Sequence, residues 1–281
     1  MGFFQNLVYG AAKRWIAGKE METALAKAKE ANAKGLGVIL NYLGEDVEDR
    51  RVVESSFEEY VKLQRAIASA GIDGCISVKL TQFGLTTDYS ACFEKAVRLA
   101  EEASAMGRML WIDMEGSSVT TKTLEVYSKL LESHKNVGVA LQAYLKRSGE
   151  DLLRLMDIGA KVRLVKGAYR ESADVVFQSR AQVTENYLKL MRILFEKGSG
   201  FAIATHDSRP IDEAKRLHEA NPGTKFEFEM LRGIRDDLKL SLSRGGYRVV
   251  DYMPYGEEWY AYSMRRIKEH PSNIWLLLRS I

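Results

Sequence analysis

Cysteine, proline and excess charge are all scarce in this chain. Its 2 cysteines, Cys75 and Cys92, cannot build a disulfide framework and lack metal-site spacing, which excludes a stapled secreted scaffold and points to a reducing compartment. The 4 prolines, Pro210, Pro222, Pro254 and Pro271, cluster nowhere, so no Pro-rich linker divides the chain. Lys and Arg number 41 against 38 Asp and Glu, leaving a net charge of +3. No overall field therefore recruits nucleic acid. No apolar run approaches the ~20 residues that a membrane-spanning helix needs. The start, M-G-F-F-Q-N-L, lacks an apolar core with a small-residue cleavage site, and Asn6 stands where an acylated Met-Gly start wants Ser or Thr. The weakly amphipathic start (Phe3, Phe4, Leu7, Val8, Trp15) and the apolar tail at 274–278 read as packed helices. The expectation is a cytoplasmic protein with membrane contact at most peripheral.

What is present is a 281-residue chain with 46% hydrophobic side chains, enough for a sizeable core. Residues 3–34 read as two helices, the second rich in Ala, Lys and Glu and ended by Gly35 and Gly37. Short apolar runs closing on polar residues then recur at 37–42, 74–80, 109–114, 137–144, 162–165, 201–205, 226–231 and 247–252. Amphipathic segments at 57–70, 89–106, 122–133, 175–195 and 211–220 lie between them. Strand and helix in alternation are the cadence of an α/β fold, a (βα)8 barrel of TIM type. A doubly wound open sheet would want a G-x-G-x-x-G after an early strand, and none is present. With no linker, residues 1–281 read as one domain, with 1–36 as an N-terminal helical extension.

In such barrels, chemistry collects where the strands end. Lys79 closes the second strand, Asp113 and Glu115 the third, and Gln142 the fourth. Arg163, Lys166 and Tyr169 follow along the fifth, Thr205, His206 and Asp207 the sixth, and Tyr252 the eighth. Singly, each is an ordinary salt-bridged or capping residue. Gathered at one mouth, they describe a site. The stretch 252–270 adds to it: in a helix starting near Glu257, Tyr262, Arg265, Arg266 and Glu269 fall at i, i+3, i+4 and i+7 on one face. Twin guanidiniums suit bidentate capture of a carboxylate or phosphate. Taken alone, the same pattern also fits a solvated Arg/Glu face.

The blocks V-K-L at Lys79, I-D-M-E at Asp113, Q-A-Y-L-K-R at Gln142, R-L-V-K-G-A-Y from Arg163, A-T-H-D at Thr205 and Y-M-P-Y-G…Y-x-x-R-R-x-x-E at the end resemble proline dehydrogenases, in order over residues 74–270. The resemblance implies a distorted (βα)8 barrel with its last helix over the mouth, non-covalent FAD, and oxidation of L-proline to Δ1-pyrroline-5-carboxylate. It further implies electrons passed to a quinone and product passed to a separate pyrroline-5-carboxylate dehydrogenase. By that resemblance, Arg265 and Arg266 bind the substrate carboxylate with Lys79 as a third cation, Tyr262 packs on the pyrrolidine ring, and Tyr169, Leu231 and Tyr252 complete the pocket. Asp113 and Glu269 are counter-charges. Arg163 lies beside flavin N5 and, with Asp113, is assigned to catalysis. Gln142 and the Met114 backbone contact the ring system, while Lys166, Gly167, Ala168, Thr205 and His206 hold the ribityl and phosphate portion. Tyr262 also favours proline by crowding a 4-hydroxyl group. Two other readings stay open: a flavin barrel of the methylenetetrahydrofolate reductase type, which has no small carboxylate for paired arginines to clamp, and a silent binder of amino acids or flavin. Residues 1–36 match no motif.

Overall fold

The computed structural model describes residues 9–269 apart from Ala11, with the backbone alone for 265–269. Among these residues, helix α1 (Met21–Asn32) leads into β1 (Gly37–Tyr42), and helix and strand then alternate. In order come α2 (Arg50–Ser69), β2 (Gly74–Val78), α3 (Tyr89–Ala105), β3 (Leu110–Ile112), α4 (Ser117–Ser133), β4 (Val137–Gln142), α5 (Ser148–Asp157) and β5 (Lys161–Val165). They are followed by α6 (Arg180–Lys197), β6 (Phe201–Ala204), α7 (Ser208–Ala220), β7 (Phe226–Leu231), α8 (Asp236–Arg244), β8 (Val249–Tyr255) and α9 (Trp259–Glu269). Each strand pairs in parallel with the next, and β8 returns to β1 in a register running from Gly37–Val250 to Tyr42–Tyr255, which closes the barrel. This is the (βα)8 architecture of TIM barrels.

Most of the strands read as apolar runs because they are buried on both faces. Val38, Leu40, Ile76, Val78, Leu110 and Ile112 turn outward into the core under the helices. Ile39, Cys75, Trp111, Ala202, Val250 and Tyr252 pack inside the barrel. Gly138 makes room there, since a Cβ on it would fall 2.4 Å from the Trp111 ring. The alternation F-E-F-E-M-L in β7 sets Glu227 and Glu229 in register with Ala202 and Ala204 of β6, so carboxylates enter the interior too.

Several expected boundaries move, and three of the helix starts move for one reason. Periodicity finds the first apolar residue of a helix, whereas the helix starts at its polar cap. Thus α2 begins at Arg50, capped by Asp49 accepting from the Arg51 N–H at 2.8 Å, and α7 begins at Ser208, capped by Asp207. The helix expected from Val175 begins at Arg180 instead, at a capping box made by Ser179 and Gln182. Its first β-branched residues are extended: Val176 bridges Leu145 in antiparallel fashion, and the Phe177 N–H donates to the Tyr144 carbonyl at 2.8 Å. Strand β2 stops at Val78 because Leu80–Phe83 wind into a 3-10 turn, and β8 runs on to Tyr255. Of the two N-terminal helices, α1 is the second. The first lies mostly outside the described residues, with Tyr9, Gly10 and Ala12 in helical conformation. Among the described residues, no helix is long and apolar enough to cross a membrane.

One ion pair holds α8 to the barrel. Lys239, 1% exposed, reaches Asp251 at 2.6 Å and Asp236 at 2.8 Å. Burial raises the Asp251 carboxyl above its ordinary range, and Lys239 works to lower it. Breaking a buried pair from one side strands the other charge, so Lys239→Met is expected to cost about 3 kcal/mol, read as a lower denaturant midpoint at unchanged slope. Adding Asp251→Leu is expected to recover most of that loss.

Candidate active site

A cavity of about 820 Å³ opens at the C-terminal ends of the strands. Of the expected site residues with a described side chain, all but Glu115 line it: Lys79, Asp113, Met114, Gln142, Arg163, Lys166, Gly167, Ala168, Tyr169, Thr205, His206, Asp207, Leu231, Tyr252 and Tyr262. Tyr262 comes from the first turn of α9, so that helix starts at the rim. Arg265, Arg266 and Glu269 follow on the same helix backbone, and their side chains lie outside the described residues. Glu115 is not at the mouth. Two residues beyond Asp113, it is buried and held by Thr81, whose N–H and hydroxyl donate to it at 3.2 and 2.5 Å.

Asp113 is the hub of the cavity floor. Its Oδ1 accepts from Ser77 Oγ at 2.6 Å and Arg163 Nη1 at 2.8 Å, and its Oδ2 accepts from the Tyr252 hydroxyl at 2.6 Å. Lys79 Nζ stands 3.9 Å away. Burial, with Asp113 adding to it, pushes the Tyr252 phenol well above its ordinary range, so it stays a donor. One carboxylate thus orients a guanidinium, an ammonium and a phenol.

Arg163 is 2% exposed and boxed on several sides. Its guanidinium lies over the Trp111 ring at 4.5 Å and the Tyr252 ring at 5.6 Å. Beneath it, Nε and Glu229 Oε2 stand 2.5 Å apart, off the hydrogen-bonding direction. Burial raises the Glu229 carboxyl to about 8, with Glu227 pushing the same way and Arg163 pulling it down. Glu229 and Trp111 were not among the expected residues. The period-2 alternation in β7 was the available sign for Glu229, since it puts that residue on the face of Leu231.

The wall beside β4 and β5 carries unmet hydrogen-bonding capacity. Gln142 is anchored by its Nε2, which donates to the carbonyls of Met114 at 2.8 Å and Glu115 at 3.2 Å. Its Oε1, the Tyr144 hydroxyl and Arg163 Nη2 are buried with no hydrogen-bond partner among the described residues. Buried polar groups are ordinarily paired, so an acceptor and donors on one cavity wall fit a flat ligand bearing both kinds of group. Tyr144 packs directly against Gly167, whose φ is 107° and whose hypothetical Cβ would fall 2.1 Å from the ring.

The opposite end is polar. Lys166 Nζ donates to Asp207 Oδ2 at 2.6 Å and Thr184 Oγ1 at 3.3 Å. Burial works to raise the Asp207 carboxyl, but the Lys166 ammonium and the Arg209 N–H outweigh it and hold it below its ordinary range. His206 Nε2 accepts the Leu231 N–H at 2.8 Å, which ties the end of β6 to the end of β7. Thr205 Oγ1 accepts the Asp207 N–H at 3.1 Å. Residues 177–180 and Thr184 complete this end, and apolar periodicity does not single them out because it runs through them as if the helix started at Val175. The S-x-x-Q capping box was the legible sign, and the N-terminus it marks offers free N–H groups to an anion. Tyr169, on the loop after β5, donates its hydroxyl to Glu45 at 3.2 Å.

The profile of the family described as proline dehydrogenase matches residues 24–274 of this chain. Over 266 residues the chain is 37% identical to proline dehydrogenase 2 of Bacillus subtilis (strain 168), covering 94% of this chain and 88% of that one. Against the proline dehydrogenase of Deinococcus radiodurans it is 36% identical over 273 residues, 95% and 88% of the two chains. The fold matches a crystal structure of proline utilization A from Bdellovibrio bacteriovorus inactivated by N-propargylglycine, with a TM-score of 0.85 at 25% identity. That match covers 92% of this chain and spans 32% of the larger one.

Proposed function

The chain belongs to the proline dehydrogenase family, and we propose from that membership and from the cavity that it oxidises L-proline to Δ1-pyrroline-5-carboxylate with non-covalently held FAD. The observation that carries the reading is the Asp113 hub, where one carboxylate collects Arg163, Lys79 and Tyr252 on the floor of a cavity of cofactor-binding size.

FAD, when bound, supplies the two-electron acceptor for the hydride. Gln142 Oε1, the Met114 backbone and Arg163 would hold its ring system. Lys166, Gly167, Ala168, Thr205 and His206 would hold its ribityl and phosphate portion, with the N-terminus of α6 beside them. The chain's own groups do the rest. Arg163, its charge fixed by Asp113 and its plane by Trp111 and Tyr252, presents a preset positive field where negative charge develops, and no rearrangement is needed at the moment of reaction. Lys79, Arg265 and Arg266 take the substrate carboxylate. Three cations around that anion disfavour an ammonium beside it, so the proline nitrogen is held neutral, the form from which hydride leaves most easily. Asp113 and Glu269 limit the repulsion among those cations. Tyr262 covers the pyrrolidine ring and crowds a 4-hydroxyl, while Tyr169, Leu231 and Tyr252 close the pocket and exclude water.

The same reading takes the electrons to a quinone and passes the product to a separate pyrroline-5-carboxylate dehydrogenase. It places the chain in the cytoplasm with membrane contact at most peripheral, and it treats residues 1–281 as one domain with 1–36 as an extension. An absorbance spectrum tests it: the purified protein is expected to be yellow and to bleach when L-proline is added without oxygen. A bound flavin that stays oxidised in L-proline would overturn the activity, and a colourless chain that takes up no added FAD would overturn the cofactor.

A further inference from the structure

Residues 12–19 touch two segments beside the mouth, the loop after β7 and the end of β8 with the turn that follows it. On one side, Arg14 Nε donates to the Gly233 carbonyl at 2.9 Å, two residues beyond the mouth-lining Leu231. A Cβ on Gly233 would fall 2.0 Å from the Arg14 carbonyl oxygen, so the two backbones are in direct contact. On the other side, the segment is stitched to the end of β8 and the turn that leads to α9. The Ala17 N–H donates to the Pro254 carbonyl at 2.7 Å, the Gly256 N–H donates to the Gly18 carbonyl at 3.1 Å, and Lys19 pairs with Glu257 at 3.0 Å.

Its centre is Trp15, 1% exposed, whose indole Nε1 donates to Ser263 Oγ at 3.0 Å across 248 residues of sequence. Ser263 is fully buried, and Trp15 shares one apolar cluster with Ala12, Ile16, Leu43, Trp259 and Tyr262. Tyr262 belongs both to this cluster and to the cavity wall. Ser263 is the next residue on α9, and Arg265 and Arg266 follow within one turn of backbone. Among the described residues, the apolar side chains of α9 pack on this cluster, and the directional Trp15–Ser263 bond adds a constraint on the helix's rotation that apolar contact alone does not give.

We propose that residues 12–19 are a built-in brace for the helix that starts at the rim of the mouth, and that Trp15, through its bond to Ser263, is a positioning residue for substrate binding. The proposal rests on the proline-oxidising reading above for its kinetic consequence, but not for its structural one.

The test uses the full-length, flavin-loaded chain carrying Trp15→Phe, Ser263→Ala or both. Phenylalanine keeps an aromatic ring in the cluster and removes the donor, while alanine removes the acceptor with little loss of volume, so the second variant stands if the first does not fold. Each single variant is expected to raise KM for L-proline about tenfold with kcat within about twofold, the size of one buried hydrogen bond. The double variant is expected to be no worse than either single, because both remove one interaction. Amide hydrogen exchange is expected to quicken in residues 259–264 and to stay unchanged in the barrel strands. Unchanged exchange in α9, or faster exchange with KM unchanged, overturns the proposal. Should the wild-type chain fail to oxidise L-proline, the functional reading falls, and the exchange result alone decides whether the brace exists.

Discussion

Replacing Arg163 with methionine is expected to lower kcat/KM for L-proline by ~10³-fold, the cost seen when a preset donor is taken from developing negative charge. Methionine keeps an unbranched apolar stem and removes the guanidinium together with its stacking on Trp111, so the loss belongs to the guanidinium. Two consequences divide between kcat and KM. Without the Nη1 donor, Asp113 keeps the Ser77 and Tyr252 hydroxyls but gains an unneutralised charge. Lys79, now 3.9 Å away, is then drawn onto Asp113 and away from the substrate carboxylate, which raises KM. The missing positive field beside the acceptor lowers kcat. The fold is expected to survive, because Glu229 already lies high in its range through burial and takes a proton once its counter-charge is gone. Arg163→Lys returns charge without the planar fork that spans Asp113 and Glu229, and it is expected to recover only part of kcat. Stopped-flow reduction of the flavin by L-proline separates the two effects. If Arg163→Met reduces its flavin at the wild-type rate, the arginine serves the barrel interior alone.

The legible parts of this protein follow from where side chains are buried. Barrel strands are covered on both faces, so 37–42, 137–144 and 201–205 stand out as apolar runs, and their polar closing residues mark the mouth. Lys79, Gln142 and Thr205 were readable on that ground alone. Helix starts were not, because Asp49, Ser179 and Asp207 act through capping bonds that apolar periodicity does not register. The late start of α6 hid a whole wall of the cavity. Glu229 was hidden differently: it lies inside its strand, under Arg163, and only the two-residue alternation of β7 betrays which way it faces. Glu115 shows the reverse error. It stood beside Asp113 at a strand end, yet beyond Ile112 the strand has ended, and the chain turns the carboxylate to Thr81. Residues 12–19 matched no motif because their work is done by contacts more than two hundred residues away in sequence.

Gly167→Ala is expected to strip the flavin while leaving the barrel folded. At φ 107° an L side chain is strained, and its Cβ would sit 2.1 Å from the Tyr144 ring; backbone strain of this kind costs about 1–3 kcal/mol before the clash is counted. The clash cannot be relieved locally. Tyr144 is held from both sides, its N–H donating to the Lys166 carbonyl at 2.8 Å and its own carbonyl accepting from Phe177 at 2.8 Å, so the turn at 166–168 must move instead. That turn carries Lys166, whose position is set by Asp207 and Thr184, and it is where the ribityl and phosphate portion is assigned. A shift there is expected to weaken flavin binding by roughly tenfold or more, read as flavin lost on gel filtration and regained only in excess FAD. Combining Gly167→Ala with Tyr144→Leu removes the clash but keeps the strained φ, so the share of affinity it restores measures the two causes separately. Wild-type flavin retention in Gly167→Ala would mean that the turn is no part of the cofactor site and that Lys166 serves only to pin Asp207 at the start of α7.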